Sequence, residues 1–337
     1  MAYEGYSISV HFARTAIAAA RRSGLDEHAL LQEAGIGRRL LDNPQLRITS
    51  LQFSRLMLAL WRVGDDEFMG LAPYRSRHGV FALMARQVIG CHRLASVYYR
   101  LARFYSLVND SLRLELTTNG AQAALAMRLT APERDPEHLL REVFLLLWHR
   151  FASWLVGQRI GLQEVHLDYP EPSNHAEYRL MFPCPARFSM PDCRLVMDAA
   201  CLDMPVVQTP ATLRAHLQRA PLEWFTRPSY QAACTRSVSD LLQHDGAFRD
   251  LGIEAVADVL HLTERTLRRR LRLEGTRFQA LKDGLRRDLA IHHLNQTGLP
   301  ISEIAQRLGF SEASAFTRAF RQWTGESPRA YRDAARA

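Results

Sequence analysis

One pattern occurs twice in the last third of this 337-residue chain and constrains it more than any other feature. A short apolar helical stretch runs into a tight turn, and a second helix follows whose core residues sit at i, i+4 spacing. In the first copy, Val256, Val259 and Leu260 are expected to face inward from a helix over Ile253–Leu260, with His261-Leu262-Thr263 as the turn. Thr263 is suited to cap the next helix, because its hydroxyl can accept a hydrogen bond from a free backbone N–H. On that helix Leu267 and Leu271 point inward, which leaves Arg265, Arg268, Arg269 and Arg272 outward or flanking the seam. In the second copy Ile304, Ala305 and Leu308 are the inward residues, and Gly309 is a helix stop that needs a left-handed backbone. Ser311 is the expected cap of a helix over Glu312–Trp323, with Phe316, Phe320 and Trp323 inward. Ala313, Ser314, Thr317, Arg318 and Arg321 are left facing out. Between the copies Leu281, Leu285, Leu289 and Leu294 mark one helix over Phe278–Leu294, about 26 Å long at 1.5 Å per residue.

An exposed, arginine-rich second helix after a short turn has the shape and chemistry of a major-groove reader. Arginine donates two hydrogen bonds to O6 and N7 of guanine and also pairs with phosphate. The bland meaning of Arg268-Arg269-Arg270, a solvated charge run, loses weight because the run lies on the second helix of the motif. Arg270 is the exception: it falls beside the inward seam and suits a structural or phosphate contact. The formal net charge is +8, with 16 basic and 12 acidic residues from Asp245 onward, and all basic residues but Lys282 are arginine. That balance points to an anionic partner without proving one. Two readers held by the long helix could enter successive major grooves, about 34 Å apart. A shorter separation would bend the DNA at a cost of order 1–6 kcal/mol.

The first half reads differently. Helical spacing is seen over Phe12–Ser23, Asp26–Ala34, Ser50–Val63, Val80–Ile89 and Leu94–Asn109. Then Leu112, Leu114 and Leu116 alternate with polar residues, Asn119-Gly120 follows, and Ala123, Leu125, Met127 and Leu129 alternate again. Asn-Gly between such runs predicts a hairpin with a type I′ turn. A long helix near Pro136–Val156 and strands near Gln163–Tyr169, Ala186–Ser189 and Arg194–Asp198 complete an α+β pattern, with a short helix at Asn174–Met181. The expected organisation is an α+β sensor domain over 1–220, a proline-marked linker over 221–236, and an all-α domain over 237–337 with two helix-turn-helix motifs joined by a long helix.

Other chemistries find little support. No phosphate-binding glycine loop, GxSxG or HExxH motif is present, and His292-His293 point different ways on a helix. Glu133, Asp135 and Glu137 suit a helix N-terminus better than a catalytic pair. We expect no catalytic residues, no metal and no cofactor. The cysteines, Cys91, Cys184, Cys193, Cys201 and Cys234, are odd in number and lack a CxxC pair, so they read as reduced thiols and not as a disulfide frame or zinc ribbon. No apolar run reaches a membrane span and no signal segment opens the chain, so the expected location is the cytoplasm, with no membrane partner. Among the aromatic and basic residues of the first half, Tyr99, Arg103 and Trp148 are the candidates to meet an effector, Arg103 if that effector is anionic.

Gly309-Phe310-Ser311, Phe316-Thr317-Arg318-Ala319-Phe320-Arg321, Trp323-Thr324-Gly325 and Ser327-Pro328 with Tyr331-Arg332 together resemble the signature of AraC/XylS-family transcription regulators, over about Tyr230–Arg332. The resemblance implies that Arg265, Arg268 and Arg269, joined by Arg272, read DNA from the first recognition helix, and Ala313, Ser314, Thr317 and Arg318, joined by Arg321, from the second. His261 departs from the family's usual glycine, and histidine tolerates positive φ better than most residues. His175-Ala176-Glu177-Tyr178, Met181-Phe182, Cys184-Pro185-Ala186-Arg187-Phe188 and Leu195-Val196 resemble the arabinose-binding-like sensor domain of the ornithine-utilisation type of regulator, over roughly Ser23–Val207. The implied partners are operator or promoter duplex DNA, RNA polymerase, a small-molecule effector and a second copy as homodimer, with activation the commoner mode. The competing readings are a non-specific architectural DNA binder, and a DNA-repair enzyme that uses AraC-like helices only for docking.

Overall fold

The computed structural model describes residues 7–182, 184–226, 233–243, 251–274 and 276–336. In chain order the elements are β1 (Ser7–Ser9), α1 (Val10–Arg22), α2 (Glu27–Ala34), β2 (Arg47–Thr49), α3 (Ser50–Gly64), α4 (Val80–Val88) and α5 (Leu94–Val108). Then come β3 (Leu112–Asn119), β4 (Gln122–Leu129), α6 (Leu139–Leu155), β5 (Leu162–His166), α7 (Tyr178–Met181), β6 (Ala186–Arg187) and β7 (Cys193–Asp198). The rest is helical: α8 (Pro210–Arg219), α9 (Leu222–Phe225), α10 (Ala233–Gln243), α11 (Ile253–Val259), α12 (Glu264–Leu273), α13 (Phe278–Gln296), α14 (Ile301–Arg307), α15 (Ala313–Thr324) and α16 (Pro328–Arg336). Residues 227–232 of the expected linker lie outside the described residues.

The described residues group into two compact units. One gathers those of His11–Leu30 and Ser54–Phe225; the other gathers those of Met1–Val10, Leu31–Phe53 and Thr226–Ala337. The α+β unit is built on a five-stranded sheet of order β3-β4-β7-β5-β6. All its pairings are antiparallel except β5–β6. The helix α6 is a core element, because every residue of it except Trp154 is buried. Its sequence is apolar nearly all round, which leaves no face to give to water. The polar residues it carries are therefore bonded. Arg141 donates to Asp135 at 3.1 Å and Asp168 at 2.8 Å. Glu142 accepts from the hydroxyls of Tyr169 and Tyr178. Asp135 accepts the backbone N–H groups of Leu140 and Arg141, the orphan donors of the first turn.

The hairpin forms where alternation predicts it, but its turn lies one residue later. Asn119 pairs with Gln122, and only Gly120 of the two turn residues Gly120-Ala121 has positive φ, 59°. Glycine at the first central position is the type II′ pattern, so Asn119 belongs to the strand and the expected type I′ turn is not formed.

In the other unit, α10, α11 and α12 close over a core that includes Cys234, Val238, Leu242, Val256, Leu267 and Leu271, with Leu281 and Leu285 of α13 beneath. The second motif, α14 and α15, buries Ile304, Ala305, Phe316 and Phe320 and is closed by Tyr331 of α16. The joining helix α13 spans 19 residues, about 28 Å. One feature here was absent from the sequence reading. The strands β1 and β2 form a two-stranded antiparallel sheet, Ser7 facing Thr49 and Ser9 facing Arg47, that packs on α13. Three-residue strands are too short for alternation to reveal. Their polar groups are paired: Ser7 Oγ donates to buried Asp288 of α13, and Arg47 Nε donates to Ser7 Oγ at 2.8 Å.

Candidate nucleic-acid interface

Each motif begins with a helix of two turns that ends in a left-handed residue. His261 follows α11 with φ 53°, and Gly309 follows α14 with φ 77°. The turn thus survives the replacement of glycine by histidine. On α11 the buried residues are Val256 and Ala257, while Val259 is 53% exposed. The inward assignment of Val259 is therefore corrected: the face that meets the core is Ile253, Val256, Ala257 and Leu260, and Val259 lies off to its side.

The second helices are capped differently. Thr263 accepts the N–H of Thr266 at 3.2 Å, as its position requires. Ser311 makes no such bond, because α15 starts one residue later with Glu312 as its cap residue. Ser311 holds the turn position equivalent to Thr263, but the added residue moves the helix start past its reach.

Past the cap the two helices match. On α12, Leu267 and Leu271 are fully buried, and Arg265, Arg268, Arg269 and Arg272 are exposed at i, i+3, i+4, i+7. On α15, Phe316 and Phe320 are fully buried, and Ser314, Thr317, Arg318 and Arg321 repeat that spacing, with Ala313 beside them. Ser314, Arg318 and Arg321 are exposed; Ala313 and Thr317 are half-buried at the rim of the face. Each set covers one arc of its helix, since three- and four-residue steps return to the same side. Arg268 is held by Glu264 one turn earlier at 2.5 Å, an exposed i, i+4 pair of little intrinsic strength that phosphate or guanine can displace. Thr317 Oγ1 donates to Ala313 O at 2.8 Å, which satisfies the hydroxyl within the helix. Arg270 is exposed on the side of α12 away from this arc.

The joining helix fastens the second motif. Arg286 Nε donates to Leu308 O at 2.9 Å, and its guanidinium lies 4.8 Å from the ring centre of Phe310. A cation at the C-terminus of α14 also meets that helix's negative end. Glu274, just past α12, accepts the backbone N–H groups of Cys234 and Thr235 at 3.2 and 2.7 Å and so caps α10. These two contacts were invisible in the sequence, because neither partner lies within a helical turn of the other.

The three effector candidates are not brought together. Trp148 is buried in the core, whereas Tyr99 is 60% exposed and Arg103 is on the outer side of α5. The indole N–H of Trp148 and the hydroxyl of Tyr105, whose rings meet at 5.2 Å, have no hydrogen-bond partner among the described residues. Glu142 is a buried group that sequence reasoning missed. Burial pushes its carboxyl up to about 8, and one of its oxygens has no partner. Burial likewise raises all five cysteine thiols above their ordinary range. No helix of the described residues is long and apolar enough to cross a membrane.

Comparison with known proteins settles the lineage. Residues 24–206 match the model of the arabinose-binding domain of AraC transcription regulators, N-terminal part, and residues 256–334 match a helix-turn-helix domain. The chain belongs to the AraC family of transcription regulators. Over 332 residues it is 29% identical to the ornithine utilization regulator of Pseudomonas aeruginosa, covering 97% of this chain and 96% of that protein. It is 35% identical over 184 residues to the HTH-type transcriptional regulator VirS of Mycobacterium tuberculosis, covering 54% of this chain and 53% of that one. A crystal structure of the transcriptional regulator CdpR from Pseudomonas aeruginosa aligns over 96% of this chain and 98% of its own at 21% identity, with a TM-score of 0.29. The AraC-family chain described here is thus a DNA-binding transcription regulator with an N-terminal ligand-binding domain and a helix-turn-helix region, the α+β and all-α organisation expected from its sequence.

Proposed function

We propose that this AraC-family chain is a cytoplasmic, sequence-specific activator that works as a homodimer. It reads two successive major-groove segments with α12 and α15 and contacts RNA polymerase from an adjacent site. The observation that carries this reading is the matched pair of outward faces, Arg265, Arg268, Arg269 and Arg272 on one helix and Ser314, Thr317, Arg318 and Arg321 on the other. Both are backed by fully buried i, i+4 residues on helices held by α13. DNA reading is assigned to 237–337 and effector sensing to the α+β part within 1–220. Trp148 and Tyr105 are among the groups of that part that stand ready for a ligand, because their buried donors lack partners and their rings are in contact. Ornithine is the first effector to test, since a relative matched along nearly the whole chain is an ornithine utilization regulator.

We assign no enzymatic role. A repair function would need an activated thiolate, and burial shifts every cysteine the other way. The test is selection of bound duplexes from a random pool by the full-length protein at near-physiological salt, with and without ornithine. Two enriched elements about one helical turn apart are expected. Binding that enriches no element in either condition and simply fades as salt rises would leave the architectural reading instead.

A further inference from the structure

The α+β unit ends on one side in an unpaired strand. Among the described residues β3 pairs only with β4, through eight residues with no break in register. Long regular edges are templates for a further strand, and proteins commonly block them with charges, proline or bulges. This edge has neither proline nor bulge, and its charges follow a particular order. Leu112-Arg113-Leu114-Glu115-Leu116 reads the same in both directions, except that a cation and an anion exchange places.

From this we propose that β3 is the homodimer surface: a second copy of the chain adds its own β3 antiparallel to the first, with Leu114 on the two-fold axis. In that register Arg113 of each copy faces Glu115 of the other, and Leu112 faces Leu116. A two-fold contact of this kind uses the same patch twice and must be self-complementary, and opposite charges directly across a strand pair stabilise it. Arg113 has little use for its charge within one copy. It stands across from Arg128 of β4, a like-charge pair, and among the described residues its ion pair is an exposed contact with Asp110 at 3.1 Å. Arg128 is itself engaged by Asp192.

The neighbouring helix carries the apolar part of the surface. The packing of α5 against β3 means that the same axis sets a second α5 alongside the first. Tyr99 and Leu107, two turns apart on α5, are 60% and 75% exposed. Large apolar side chains exposed beside an open strand edge fit burial by a partner. Tyr99 thereby belongs to a contact between copies and not to the effector site.

The inference rests on the homodimer reading above, and one experiment separates the two. The full-length protein is measured by light scattering after size exclusion, alongside Arg113→Glu, Glu115→Arg and the double exchange R113E/E115R. The wild type is expected at twice the chain mass. Each single variant opposes like charges twice and is expected to raise the dimer dissociation constant about tenfold. The double variant restores opposite charges and returns to the wild-type value. A monomeric wild type overturns both the dimer and this surface. A dimeric wild type with unaffected single variants keeps the dimer and overturns the surface. Weakened single variants that the double exchange does not rescue also overturn the charge pairing, circular dichroism showing that they are folded.

Discussion

The hydroxyl of Tyr331 donates to the backbone carbonyl of Arg47 at 2.5 Å, joining the last helix to β2 across 284 residues of sequence. The same oxygen accepts from Asn295 Nδ2 of α13 at 3.0 Å, and Asn295 Oδ1 accepts from Gln52 Nε2 at 3.2 Å. Tyr331 is fully buried, so no water replaces a partner that is removed. Tyr331→Phe keeps the ring against Phe320 and removes the hydrogen bonds that the hydroxyl makes to the Arg47 carbonyl and to Asn295. A loss of about 1–3 kcal/mol is expected, read as a lower midpoint in urea. Unchanged stability would show that this bond does not hold the strand to the helical unit.

The two turn residues separate under the same substitution. Thr263→Ala removes a formed cap and should cost about 0.5–2 kcal/mol. Ser311→Ala removes no cap and should stay within about 0.5 kcal/mol. Thermal melts of both variants test this directly. Equal losses would mean that Ser311 caps α15 after all.

Arg268→Ala and Arg269→Ala should each weaken operator binding by about 1–3 kcal/mol and relax discrimination at one or two base pairs. Titration of the selected operator and of single-base variants at one salt concentration is the measurement. A loss equal on operator and random DNA would make them phosphate contacts.

Glu142 gives a pH prediction. Its carboxyl is raised by burial from 4.5 to about 8, so the folded protein binds a proton there that the unfolded chain has lost between those values. By linkage this contribution is fully present below the unfolded value and is lost as pH rises through 8. Glu142→Gln is neutral at every pH and should gain stability relative to wild type between pH 5 and pH 8. Only the difference between the two proteins is read, because half-buried His138 and buried His149, both pushed down to about 4, titrate in the opposite sense. A constant difference across that range would show that Glu142 is ionised throughout.

The parts of the fold with a period were legible before any coordinates. The helices α1 to α6 and α11 to α15 were placed within a few residues, because their inward side chains recur every three or four positions. The hairpin was legible through alternation, though Gly120 and not Asn119-Gly120 sets its turn. The outward faces of α12 and α15 were legible because Leu267 with Leu271, and Phe316 with Phe320, orient the other side chains on their helices. What stayed hidden depends on distant partners. Nothing near Asp288 announces Ser7, and nothing near Glu142 announces Tyr169 and Tyr178, since those contacts are set by tertiary packing. The effector candidates show the same limit: residue type suggested Arg103 and Tyr99, and the helix turned them outward.

The two reading faces share a geometry but not a composition. Four arginines stand on the outward arc of α12, while that of α15 offers serine, threonine and alanine beside Arg318 and Arg321. Long guanidinium arms reach guanine and phosphate, whereas serine, threonine and alanine make shorter contacts to base edges such as the thymine methyl. If the two faces read DNA as proposed, the operator element beneath α12 is held by more contacts than the element beneath α15, and base changes under α15 cost less binding. New promoters would then come under this regulator's control by retaining the first element and varying the second, so that the asymmetry between the helices would also be a route by which its set of target genes evolves.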